Sequence, residues 1–198
     1  MIKRPETGTL YPVLATVKYP PGFSGKKGTF LSESARQALS ESLRLSGLSL
    51  SRYEKNQNGA PVPEDGVYWS ISHKLEMVAA VCATIPVGID LEKIMPRSDG
   101  LFNYLATEKE WGLFRERNWE NFFKLYTAKE ALVKMSGEGV KDLKKCILQK
   151  VGLQGLELKY QGNDVSVMHF HCGEYLAALA AASRTVEWKI KFESDGIK

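Results

Sequence analysis

The sequence predicts an α+β protein, a pseudo-dimer of two similar half-domains in which each half is a helix packed on a small antiparallel sheet. Residues 67–73 and 76–83 are echoed by residues 165–171 and 174–181, both at an offset of 98. The helical run 34–39 is echoed by 127–132 at an offset of 93. A half of about 100 residues is marginal alone but stable once a twin covers its apolar face. Chance matching of alanine-rich strands competes for the strand echo, and the helix and strands together favour duplication. The halves divide at residues 1–93 and 94–198.

The elements follow in chain order. Residues 10–17 read as a short strand of the first half. Gly25-Lys26-Lys27-Gly28 reads as a loop carrying two lysines. The apolar stretch from Met77 to Ala83, interrupted by Pro86 and resumed by Val87 and Ile89, reads as a strand. It ends near Glu92, because residues 95–100 have loop composition. Thr107 with Glu110 resembles a capping box opening an amphipathic helix. Trp119, Phe122, Phe123, Tyr126 and Val133 recur at helical spacing, and Gly137 and Gly139 supply the stop. Residues 185–192 read as the last strand and 193–198 as a frayed tail.

Composition narrows the function classes. Apolar residues at 43% and charged residues at 25% are those of a soluble globule. No apolar run approaches the roughly 18 to 20 residues that span a bilayer, and residues 1–6 lack the apolar segment of a secretory signal. A cytoplasmic protein without membrane contact is expected. Cys82, Cys146 and Cys172 are odd in number with no CxxC spacing, so neither a disulfide framework nor a zinc knuckle is expected. His169-x-His171-Cys172 lacks a fourth metal ligand at suitable spacing. The net charge of +4 is a mild basic excess that favours acidic partners. Lys26-Lys27 and Lys144-Lys145 are isolated pairs rather than a dense basic tract, which argues against nucleic acid.

The chemistry concentrates in two runs. Asp90 and Glu92, two apart on a strand, project from one face. Glu130 and Lys134, four apart on a helix, lie one above the other. One strand edge and one helix face could then build a site for a divalent metal and a phosphate. Ordinary surface charges compete with this reading, since an exposed helical pair such as Glu130 and Lys134 contributes only about 0.2 to 0.5 kcal/mol. That alternative explains Asp90 and Glu92 less well, because carboxylates are poor strand formers and these two close an apolar segment. If Glu130 joined them, each pair at about 4 Å would repel by roughly 4 kcal/mol at an effective dielectric near 20, which a cation or a proton would relieve.

Gly88-Ile89-Asp90-x-Glu92, then Tyr126-x-x-Lys129-Glu130-Ala131-x-x-Lys134 with 40 residues between Asp90 and Glu130, resembles the signature of the 4'-phosphopantetheinyl transferases. The likeness is to the surfactin-synthetase-activating type, a monomer of two half-domains with a signature here at residues 87–134. Ser72-His73 and Gly59-Ala60-Pro61 precede these elements in the family's order, so the resemblance runs from about Asn58 to Gly139. It departs from the pattern at Ala60, where a basic residue is frequent, and at Tyr126, where tryptophan is common.

The resemblance implies transfer of 4'-phosphopantetheine from coenzyme A to a serine of an apo acyl or peptidyl carrier protein, releasing 3',5'-ADP. By position, Asp90, Glu92 and Glu130 would hold Mg²⁺, or Mn²⁺, both suited to hard oxygen ligands. Glu130 would be the base for the serine hydroxyl, directly or through a bound water, and Lys134 would pair with a phosphate. His73 would donate to a phosphate of coenzyme A; a satisfied, partly buried histidine is the competing explanation. Lys129 and Arg36, which falls opposite it at the 93 offset, are further substrate-binding candidates, with Lys27 of the glycine-flanked pair a weaker one. Asp90 and Glu92 fall opposite Trp188 and Ile190, and Glu130 opposite Gln37, so a single site between the halves is expected. The aromatic residues between the two motifs read either as carrier-protein anchors or as the inward face of a helix. A non-catalytic descendant that binds coenzyme A or a carrier, and a structural or nucleic-acid-binding module, are the competing functions.

Overall fold

The computed structural model describes residues 8–137, 143–182 and 185–191. In chain order, β1 (Thr9–Leu10) and β2 (Val13–Thr16) precede the long helix α1 (Lys27–Ser46) and the strands β3 (Tyr68–Lys74), β4 (Met77–Ala83) and β5 (Val87–Lys93). Three helices follow, α2 (Gly100–Leu105), α3 (Glu108–Trp111) and α4 (Trp119–Ser136). Strands β6 (Ile147–Val151), β7 (Gly155–Tyr160), β8 (Asn163–Cys172), β9 (Tyr175–Ala181), β10 (Thr185–Val186) and β11 (Lys189–Lys191) complete the described chain. The fold is α+β. Residues 1–6, Gly139, Phe192 and the expected tail at 193–198 lie outside the described residues.

The sheets run β11-β2-β4-β3 and β5-β9-β8-β7-β6, with β1 and β10 as a separate parallel pair. Strand alternation sorts the core into layers. Val78, Ala80 and Cys82 of β4 pack with Leu31, Ala35, Ala38 and Leu39 of α1, while Ala79 and Val81 face a central core shared with Ile89, Leu91, Ala177 and Leu179. On the far side, Leu176, Ala178 and Ala180 of β9 pack against Phe123, Ala131 and Leu132 of α4. The order is therefore helix, sheet, sheet, helix. No helix among the described residues is long and apolar enough to cross a membrane.

The structure corrects three local readings. Met77 to Glu92 is not one strand: β4 pairs with β2 and β3, whereas after Pro86 the chain enters the other sheet, where β5 pairs antiparallel with β9. Residues 185–192 are not one strand either: β10 pairs with β1, and β11 pairs in parallel with β2. Strand β5 thus lies in a sheet built from residues after 93, and β11 in one built from residues before it. Lys26 and Lys27 are not a loop; they are the N-cap and first residue of α1.

Candidate functional site

Gly88 lets the site form. A Cβ built there would stand 1.9 Å from the carbonyl oxygen of Ala131 and 2.5 Å from the amide nitrogen of Met135, so any side chain would push α4 off β5. Its neighbours at even positions, Asp90 and Glu92, share its face, which brings both carboxylates toward α4. On α4, Tyr126, Glu130 and Lys134 follow one another at helical spacing. Gly137 ends that helix at φ 74°, a left-handed stop that suits glycine.

Lys134 donates to Asp90 Oδ1 at 2.7 Å and to the Ile89 carbonyl at 3.2 Å. Ser72 of β3 donates to the same Oδ1 at 2.9 Å. Asp90 Oδ2 is left bare, the one buried side-chain oxygen or nitrogen among the described residues without a hydrogen-bond partner. Glu92 is taken by Lys74 at 2.8 Å, with Arg97 more distant at 3.5 Å. The Arg97 guanidinium also lies 5.3 Å from the centre of the Phe123 ring, which ties the residue 94–99 segment to α4.

Burial, followed by the Asp90 charge, pushes the Glu130 carboxyl up to about 7, against the pull of Lys134 and of the neighbouring Tyr126 hydroxyl. Burial also raises Glu92 above the ordinary carboxylate range, in spite of Lys74. The Tyr126 hydroxyl is raised by burial and then by the charges of Glu130, Asp90 and Glu92. The four groups therefore feel one another. No three carboxylate, imidazole or thiolate groups among the described residues are already gathered closely enough to hold a metal, so the expected convergence around one cation is incomplete in this state. The donor chemistry fits a hard divalent cation nonetheless: three buried or half-buried carboxylates, mutual repulsion, and an orphaned oxygen on Asp90.

A pH prediction follows with a definite sign. Glu130 binds its proton more tightly folded than unfolded, so it removes stability as pH rises from about 4.5 to about 7. His169 acts oppositely: burial holds its imidazole down to about 4, so it adds stability as pH rises toward its ordinary value. Since His169 contributes equally with and without a cation, the gain in Tm on adding Mg²⁺ isolates the carboxylates. That gain should be larger near pH 8 than near pH 5 by calorimetry; an equal gain at both would exclude Glu130 as a ligand.

The remaining candidates are scattered. His73, at the exposed end of β3, has its imidazole held below the ordinary value by partial burial, then by the charges of Lys134 and Lys55. Arg36 and Lys27 are exposed on α1, Lys27 with its ammonium 5.4 Å from the Tyr19 ring centre, and neither pairs with the carboxylates. Lys129 is a correction: it is 1% exposed and its ammonium is held at 2.9 Å by both Glu110 and the Leu105 carbonyl, inside the core behind α4. Residue 129 points about 100° around the helix from residue 130, and its supposed equivalence with the exposed Arg36 carries nothing over. Ala60 lies in a turn closed by Asn56 Oδ1, which accepts from the amides of Asn58 and Ala60.

Between the motifs, Phe102, Trp111 and Phe114 are buried, so the inward alternative describes them; Met95, Tyr104 and Leu113 are the exposed large apolar residues there. The capping box at Thr107 is present with both of its hydrogen bonds, but it opens a helix of one turn. Sequence reasoning missed Ser72 as a ligand of Asp90, and it missed Lys74 and Arg97. The first two had a signal: Ser72 meets Asp90 and Lys74 meets Glu92, both 18 residues apart, as two strands running side by side require.

Residues 86–182 match the model of the 4'-phosphopantetheinyl transferase superfamily. Among curated proteins the chain is similar to the 4'-phosphopantetheinyl transferase gsp of Aneurinibacillus migulanus, 32% identical over 92 residues covering 44% of this chain and 39% of the relative. It is 27% identical to 4'-phosphopantetheinyl transferase ffp of Bacillus subtilis over 53% of this chain and 49% of that one. It is 31% identical to 4'-phosphopantetheinyl transferase HetI of Nostoc over 46% and 44% respectively. The matches thus span less than half the length of each of these relatives.

Proposed function

We propose, from the match of residues 86–182 to the model of the 4'-phosphopantetheinyl transferase superfamily, that the chain transfers 4'-phosphopantetheine from coenzyme A to a serine of an apo acyl or peptidyl carrier protein, as a cytoplasmic monomer. The observation that carries this reading is the bare Asp90 oxygen beside Glu92 and Glu130 at the β5–α4 contact. Asp90, Glu92 and Glu130 would hold Mg²⁺, or Mn²⁺, which supplies charge neutralisation at the pyrophosphate.

The chain's own groups account for the rest. Lys134, a lysine at the edge of the carboxylate group, releases Asp90 and pairs with a phosphate of the donor. His73 donates to a donor phosphate once that anion offsets the charges of Lys134 and Lys55. Glu130, whose carboxyl burial and the Asp90 charge raise in the cation-free site, takes the proton of the attacking serine, directly or through a bound water. The serine oxygen bonds to the β-phosphorus, that phosphorus loses its bond to the bridging oxygen, and 3',5'-ADP leaves with the electron pair. Lys129 has no part in this; Arg36 and Lys27 are kept as candidates for the nucleotide end of coenzyme A.

We also read residues 1–93 and 94–198 as duplicated halves. Support comes from the hairpin β3–β4 under α1 and the hairpin β8–β9 under α4, which have the same order of strands at the sequence offset of the echo. Incubation with coenzyme A, Mg²⁺ and a panel of apo carrier proteins should add one phosphopantetheine mass to a carrier. Coenzyme A binding without any mass gain across the panel would leave a non-catalytic descendant.

A further inference from the structure

Three carboxylates and two lysines meet at the candidate site, and the lysines do not play the same part. Lys134 shares Asp90 Oδ1 with Ser72 and leaves Oδ2 bare. Lys74 instead spans both oxygens of Glu92, at 3.1 Å and 2.8 Å, so each oxygen of that residue already has a cationic partner. Glu92 is only 12% exposed at its side chain, and Lys74 28%, so the pair is shielded enough to be firm yet has a route to solvent. Lys74 reaches it from β3, a strand of the other sheet, at the end of the polar row Ser70, Ser72, Lys74 that lines β5. Its ammonium sits on a flexible four-carbon stem and can leave without moving the backbone.

We propose that Lys74 is a built-in counter-ion of Glu92 that competes with the divalent cation, so that the cation must displace it and binds more weakly than three carboxylates would allow. The inference rests on the assignment of Asp90, Glu92 and Glu130 as cation ligands. A ligand that must break a native pair loses the free energy of that pair from its own affinity. Arg97 cannot substitute, since its one contact with Glu92 is 3.5 Å long and its guanidinium is seated over Phe123.

The test is a calorimetric titration of Mg²⁺ into the full chain without coenzyme A. Lys74→Gln should bind the cation about fivefold more tightly, the scale of a partly exposed ion pair, while Lys74→Arg, which keeps the charge, should match the unaltered protein. If Lys74→Gln melts early, Lys74→Met retains the apolar stem and gives the same reading. Unchanged or weaker binding in the neutral variants, with binding by the unaltered protein abolished in Asp90→Asn, overturns the counter-ion alone. Absence of saturable binding in every form overturns the cation assignment and the counter-ion together.

Discussion

Asp90→Asn should lower the rate of carrier-protein mass gain by at least about 10²- to 10³-fold, the loss typical of deleting one preorganised electrostatic group. The substitution keeps the shape, and it keeps an oxygen to accept from Ser72. What it removes is the charge next to Glu130 and the bare Oδ2. The same change should not harm the cation-free fold. After burial, the Asp90 charge is the next cause of the raised Glu130 carboxyl, so neutralising it relieves repulsion, and Lys134, 22% exposed at its side chain, can turn to water. The expected pairing is therefore lost turnover with an unchanged or higher Tm. Near-normal turnover would remove Asp90 from the chemistry, and lost turnover with a large drop in Tm would mark it as a structural residue.

That opposition between stability and activity explains why the candidate site stands out in the sequence. Carboxylates at the end of an apolar strand violate local preference without any local compensation, whereas a lysine four residues beyond a glutamate is an ordinary helical pair and carries a signal only beside them. The ends of the two elements that carry them were legible as well: α4 ends at Gly137 as the spacing predicts, and β5 closes near Glu92. Sequence patterns were silent where pairing partners lie far apart along the chain. Pro86 marks a passage between sheets rather than a kink within one strand, because only the pairing of β5 with β9 distinguishes the two. Residues 185–192 alternate well enough for a strand, yet their hydrogen bonds go to β1 and β2, more than 170 residues earlier. Edge strand β6 was passed over, since Ile147–Val151 exposes all but Leu148 and shows little of the alternation that a half-buried strand gives.

Lys129 shows the limit of inference from a motif, because adjacent helix residues differ in direction by about 100°. Glu130 faces β5, and Lys129 therefore enters the core. There it meets Glu110, whose Oε1 accepts from Lys129 at 2.9 Å and from the Leu148 amide at 3.1 Å, while Oε2 accepts from the Thr107 amide and hydroxyl. Burial alone would raise the Glu110 carboxyl; the Thr107 amide, Lys129 and the Leu148 amide outweigh it and hold the group below its ordinary value. One carboxylate thus joins α3, α4 and β6. Removing the one cationic partner it has among the described residues leaves a buried charge, so Lys129→Ala should cost about 3 to 5 kcal/mol, or roughly 6 to 20 °C in Tm for a chain of this size. The deficit should shrink in acid, where Glu110 takes up a proton and the unaltered protein loses the same pair. Lys129→Met with Glu110→Gln should recover part of the loss but not all, since a neutral amide still caps α3 only weakly. Coenzyme A affinity measured on the folded fraction of Lys129→Ala should equal that of the unaltered protein; a tenfold loss there, with stability intact, would return Lys129 to the substrate.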